Sequence, residues 1–132
     1  MSFGGNLRDF ARKTGIRMDT VVRKVCLDMG SQIIKGTPVD TGHARSNWYF
    51  GASQTGDTDA STAPSGSPSL GRASAFASNL RAGGVFYIFN NLPYILPLEY
   101  GHSKRQAPNG WCRSTVARWQ ETVNRVVSEV AR

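Results

Sequence analysis

Between Met18 and Ile34 the apolar residues Met18, Val22, Val25, Met29 and Ile33 recur at steps of four, three, four and four, the spacing of one face of an amphipathic helix. Arg23, Lys24 and Asp28 fall largely on the other side. Gly36 offers a C-terminal stop, and Pro38 prevents continuation. Cys26 lies beside the apolar stripe, so a packed thiol is expected there. Upstream, the segment around Leu7 and Phe10 reads as a short helix ending near Gly15. At the far end Val116, Trp119, Val123, Val126, Val127 and Val130 mark a C-terminal amphipathic helix.

The middle of the chain has a different texture. Residues 51–69, "GASQTGDTDASTAPSGSPS", contain no large apolar side chain and cannot bury enough surface to offset the entropy of ordering, so a flexible loop is expected. Leu70, Ala73, Phe76, Ala77 and Leu80 then return to helical spacing, with Gly83-Gly84 as a stop. "VFYIFN", residues 85–90, is aromatic and β-branched and reads as a strand. "YILPLEYG" is expected to continue extended, with Pro93 and Pro97 confining it to a sheet edge. The order is helix, strand, loop, helix, strands, helix. That predicts one α+β domain over residues 1–132, with a long N-terminal helix and a small, mostly antiparallel sheet.

Composition adds a constraint on function. The chain carries 16 Lys+Arg against 9 Asp+Glu, a net charge of +7. Residues 1–35 hold seven bases and three acids and residues 101–132 six and two, so the excess sits at the ends. A basic protein either grips nucleic acid or works beside it. No apolar run reaches the length of a membrane span, and "MSFGGNLRDF" lacks a secretory stretch, so a soluble, unexported chain with Cys26 and Cys112 reduced is expected.

The candidate chemistry is thin. Asp40-Thr41-Gly42 is the triplet of retroviral-type aspartic proteases, but a catalytic copy needs an apolar strand leading in and a small residue after it. Here a helix end and Pro38 precede it and His43 follows, so Asp40 or Thr41 is expected to cap a turn that Gly42 allows to be tight. Arg45 and Trp48 then share a side of that turn. His43, His102, Cys26 and Cys112 lie too far apart to supply the close pairs of a zinc site, and neither metal nor cofactor is expected. Packing is the default for Cys112 beside Trp111. Asp40 and Glu99 could form a carboxylate pair, but nearby arginines favour ion pairing. Elbow, phosphate-loop and dinucleotide signatures are absent, so no enzyme is expected. In "HSKRQAPNGW", Lys104 and Arg105 are too few for a convincing nucleic-acid patch, although a small basic nucleic-acid-binding module stays as the alternative.

Two blocks together carry more than either does alone. "TPVDTGHARSNW" resembles the Thr-Pro-Val-Asp-Thr-Gly-x-x-Arg-x-x-Trp signature of the small tail-completion and neck proteins of long-tailed bacteriophages. "NLPYILPLEYGHSKRQAPNGW" is similar to that family's second block, here Tyr94, Glu99, Tyr100, Gly101, Lys104, Pro108, Trp111 and Arg113. Helices before the first block and after the second fit as well. The chain departs from the family at Trp111-Cys112-Arg113-Ser114-Thr115, where Phe-Leu-Arg-Pro-Ala is frequent, and its Ser/Thr/Gly loop looks like an insertion.

The resemblance implies a tail-terminator-like virion protein that forms a homo-oligomeric ring, hexameric or else dodecameric, at the neck or head-proximal end of the tail. It would complete the tail and join it to the DNA-filled head, contacting neck, connector and tail-tube neighbours. Assembly would occur in the bacterial host cytoplasm, with DNA passing close by and no membrane involved. An edge strand would offer unpaired backbone to a ring neighbour, and basic groups would offset the field of passing phosphates. On the residues themselves, Arg45 and Glu99 lie among apolar neighbours and are expected to pair, within the chain or across a ring interface.

Overall fold

The computed structural model describes residues 17–102 and 110–131. The stretch around Leu7 and Phe10, and Lys104, Arg105 and Pro108, lie outside the described residues. Helix α1 spans Met18–Gly36, strand β1 Trp48–Gly51, helix α2 Ser67–Ala77 and strand β2 Tyr87–Asn90. A short helix α3, Ile95–Pro97, runs into a π-helical turn at Leu98–His102, and α4, Cys112–Ala117, and α5, Trp119–Val130, complete the order. The fold is α+β, and no described helix is long and apolar enough to cross a membrane.

The apolar stripe of α1 faces two ways. Val21 and Val25 pack on Val123 and Val126 of α5, with Met18, Met29, Val127 and Val130 around them. One residue further round, Cys26 is fully buried with Ala77 and Leu80, as its place beside the stripe predicts. Burial pushes its thiol up to about 11. At the C-terminal end of α1, Ile33 and Ile34 meet Trp48 and Trp111 in a third cluster that also takes in Ile88, Ile95 and Leu98.

Among the described residues the sheet is a two-stranded antiparallel ribbon with Trp48 opposite Asn90, Tyr49 opposite Phe89, Phe50 opposite Ile88 and Gly51 opposite Tyr87. Alternation sends Trp48, Phe50 and Ile88 into the core and leaves Tyr49 and Phe89 on the outer face, their rings stacked at 6.0 Å.

Several boundaries differ from those expected. Gly36 is the last residue of α1 and not a left-handed stop; Pro38 ends the helix by forcing Thr37 into an extended conformation, φ −63° and ψ 126°. Helix α2 starts earlier, at Ser67, with Pro68 in its first turn where no amide is needed, and it ends at Ala77, ahead of the glycine pair. The C-terminal helix is broken at Arg118, which caps α4 and begins α5.

The largest correction concerns "YILPLEYG", which is helical and not an edge strand. Pro97 sits in the first turn of α3, where its missing amide is an orphan position in any case, and Leu98 N–H donates back to Tyr94 O at 3.1 Å. Prolines that forbid a strand interior are compatible with a helix start.

Residues 52–66, within the expected flexible loop, form neither helix nor strand, yet polar groups hold them down as a strap. Asn47 and Asp59 exchange two bonds of 2.8 Å, Asn47 Nδ2 to Asp59 O and Asp59 N to Asn47 Oδ1. Ala63 N–H donates to Ser46 Oγ at 3.0 Å, and Asn91 Nδ2 donates to the carbonyls of Thr55 and Asp57. Order here comes from hydrogen bonds rather than from apolar burial.

Candidate functional site

The first sequence block wraps the C-terminal end of α1, where carbonyl groups are left without intrahelical partners. Thr37 Oγ1 donates to Ile33 O at 2.7 Å and accepts from Trp48 Nε1 at 2.8 Å. Arg45 sends Nη2 to Lys35 O at 2.8 Å and to Thr37 O at 2.9 Å, and Nη1 to Pro64 O at 2.8 Å. Its charge therefore lies where the helix dipole favours a cation, and burial lowers its pKa from the usual value. Arg45 and Trp48 do share a side of the turn, and what they share is Thr37.

The turn itself divides the labour of the triplet. Thr41 Oγ1 accepts from His43 N–H at 3.2 Å, while Asp40 is exposed. Gly42 has φ +93°, and a Cβ there would lie 2.4 Å from the carbonyl carbon of Ala63, so both its conformation and the close passage of the strap require glycine. His43 bridges the strap to the second block: Nε2 is 2.9 Å from Asp59 O and Nδ1 3.0 Å from Tyr94 Oη. A carbonyl only accepts, which assigns the proton to Nε2 and makes Tyr94 the donor to Nδ1. These groups line a cavity of about 220 Å³ with Pro38, Val39, Ala44 and Leu98. Burial raises the Tyr94 pKa, and the Asp40 charge adds to it.

The second block is organised around Glu99, only 6% exposed. Oε1 accepts from the amides of Trp111 and Cys112 at 2.9 and 2.7 Å. Oε2 accepts from Arg113 N at 3.2 Å and Arg113 Nε at 2.7 Å, and Arg113 Nη2 returns to Glu99 O at 3.0 Å. The carboxylate thus caps the N-terminus of α4 from a distant turn. Burial alone would raise its pKa, but Arg113 and the three amides outweigh that and hold it below its ordinary 4.5. Gly110 has φ +83°, and a Cβ there would come within 2.5 Å of Glu99 O and Oε2, so only glycine admits this approach. The Arg113 guanidinium then lies 4.3 Å over the Tyr100 ring, and Gly101 belongs to the π-helical turn that carries Glu99. Burial, and after it Glu99, pushes the Cys112 thiol up to about 12.

The expected pairing of Arg45 with Glu99 is not made within the chain. Each is committed to backbone at a helix end, Arg45 to carbonyls and Glu99 to amides, with Arg113 as the ion-pair partner at 2.7 Å. Asp40 is likewise no carboxylate partner of Glu99. The two blocks instead meet through their tryptophans, Trp48 and Trp111, which are buried together against Ile33 and Ile34. Among the described residues no group of three or more His, Cys, Asp and Glu side chains is placed to hold a metal.

Sequence reasoning passed over Arg72. Its Nε donates to Trp48 O at 2.8 Å, Nη2 donates to Ser46 O, and Nη1 pairs with Asp59 at 2.9 Å. Hydrogen bonds from Ser61, and then Arg72, bring the Asp59 carboxyl down to about 2. The signal was available: residues 36–100 hold three bases, Arg45, Arg72 and Arg81, and a scarce charge in a neutral stretch had a local task in the first two. No protein-family model, no curated protein and no solved structure matches the chain.

Proposed function

We propose that the chain is a virion structural protein of a long-tailed bacteriophage, a tail-terminator-like subunit. It forms a ring of six or twelve copies at the neck or head-proximal end of the tail. The ring completes the tail and joins it to the DNA-filled head, and the subunit works without turnover. One observation carries this reading: the two blocks that resemble the tail-completion and neck family fold into one clasp, with Thr37, Arg45 and Trp48 on one side and Glu99, Trp111 and Arg113 on the other. Residues separated in sequence and shared with one family pattern thus have a joint structural task.

Exposed apolar side chains beside the clasp suit contact with neighbours. Leu96 and Tyr100 lie one turn apart and are 66% and 65% exposed, and Val116, 55% exposed, lies one turn beyond Arg113. Lys24 and Lys35 on α1 and Arg118 between α4 and α5 are exposed bases that could face passing DNA without reading it.

Imaging of the phage particle with this chain located in it is the test. A closed ring of the chain between head and tail is the expected result. A chain absent from the particle that binds random duplex with a steep salt dependence would replace this reading with a nucleic-acid module.

A further inference from the structure

The two edges of the ribbon are treated differently. On the β1 side, the groups of Trp48 that point away from β2 are both taken: its N–H donates to Ser69 Oγ at 2.9 Å and its C=O accepts from Arg72 Nε at 2.8 Å. Trp48 and Asn90 are therefore a non-hydrogen-bonded pair of the ladder, as are Phe50 and Ile88, while Tyr49 and Phe89 exchange bonds. It follows that the N–H and C=O groups of Ile88 and Asn90 point away from β1. Among the described residues nothing bonds to them. Sheets that leave an edge unpaired usually blunt it with lysine or proline, and Tyr87–Asn90, "YIFN", has neither.

We propose that β2 pairs antiparallel with β2 of a second copy of this chain, about a two-fold axis through Phe89. Ile88 then lies opposite Asn90 of the partner subunit, and the outward groups of both copies are satisfied by four hydrogen bonds. Phe89 faces its own image. Because Tyr49 stacks on Phe89, the outer face of the resulting four-stranded sheet carries an unbroken row of four aromatic rings. Arg72 sits 4.1 Å over Tyr49, so charge caps the ends of the row and is absent from its centre. Neither strand contains a charged residue, so the net charge of +7 opposes approach at long range but places no like charges opposite one another.

A second copy is the occupant the edge selects, because the edge complements itself in both backbone pattern and aromatic row. Head-to-tail addition onto β1 is opposed at Trp48, whose outward groups Ser69 and Arg72 already hold. This dimer uses the ribbon, whereas the ring contacts proposed above lie beside the clasp, so the two stand or fall separately.

Light scattering on the full chain should give twice the chain mass, with dimerisation strengthened by salt. Ile88→Pro removes the outward-facing N–H together with a side chain of the third core cluster, and should return the mass to one chain. Under mild oxidation Phe89→Cys should form an intermolecular disulfide, whereas Tyr87→Cys, about 13 Å from its image in this register, should cross-link no more than the unsubstituted chain. Should Ile88→Pro fail to fold, the two cysteine variants decide. A chain that stays monomeric at the highest attainable concentration, a dimer that persists in Ile88→Pro, or equal cross-linking at positions 87 and 89 would each overturn the pairing. An Ile88→Pro chain that no longer dimerises yet still enters the ring of the particle would support both contacts and show them to be separate.

Discussion

Arg45 and Glu99 perform opposite versions of one task. The cation satisfies carbonyl oxygens at the C-terminus of α1, and the anion satisfies amide N–H groups at the N-terminus of α4. Each sits where the helix dipole favours its sign. They differ in surroundings: among the described residues Arg45 bonds carbonyls alone, and it stays partly open to water, whereas Glu99 is 6% exposed and also holds an arginine. A charge among apolar neighbours therefore need not seek an opposite charge. The ends of helices supply partners that leave no mark in the pattern of charged residues.

The comparison predicts unequal costs. Glu99→Ala strips three amides and Arg113 of their acceptor at a nearly buried site and should cost about 3 kcal/mol in urea denaturation. Arg45→Ala leaves carbonyls that water reaches more easily, and about 2 kcal/mol is expected from the same measurement. Arg45→Lys should restore little of it, since an ammonium cannot span three carbonyls in a fixed fork. The double variant should show the sum of the single losses, because the residues share no partner. Strong non-additivity would revive a direct pairing.

Acid separates the halves further. Glu99 is held below its ordinary 4.5 in the folded chain, so the stability it contributes is complete above that value and is lost as pH falls through the lower folded one. Asp59, at about 2, extends the same loss to lower pH. Glu99→Gln should therefore flatten the acid limb of a stability-against-pH curve, and Arg45→Ala should lower the curve without changing that limb. The smallest effect belongs to the triplet shared with aspartic proteases. Asp40→Ala should stay within about 0.5 kcal/mol of the parent. Thr41→Ala, which removes the observed acceptor, should lose more, at most about 1 kcal/mol.

What is legible in the sequence is whatever depends on apolar period. The stripe of α1, the packed thiol of Cys26 and the apolar face of the C-terminal helix follow from spacing, and the strand expected over 85–90 from its aromatic and β-branched residues forms at Tyr87–Asn90; that α1 packs on α5 is shown by the structure alone. What is not legible depends on backbone partners. Pro93 and Pro97 argue against a strand interior and are equally compatible with a helix start, so "YILPLEYG" reads as an edge strand and folds as a helix. The strap carries no apolar signal at all, and its order rests on hydrogen bonds from residues such as Asn47, Ser46 and Asn91 that no local pattern announces. Both blocks are recognisable as units, but the helix ends that their charges serve lie outside the motif or at its margin.

Two of the three tryptophans, Trp48 and Trp111, are buried where the blocks meet, and the third, Trp119, is 36% exposed at the start of α5. The chain thus contains its own optical reporter. Indole emission shifts to longer wavelength when water reaches the ring, so the buried pair dominates the signal of clasp opening. Far-ultraviolet dichroism is dominated instead by α1 and α5. A clasp that loosens while those helices persist would redden the emission before ellipticity falls, so one unlabelled sample follows both regions as they part.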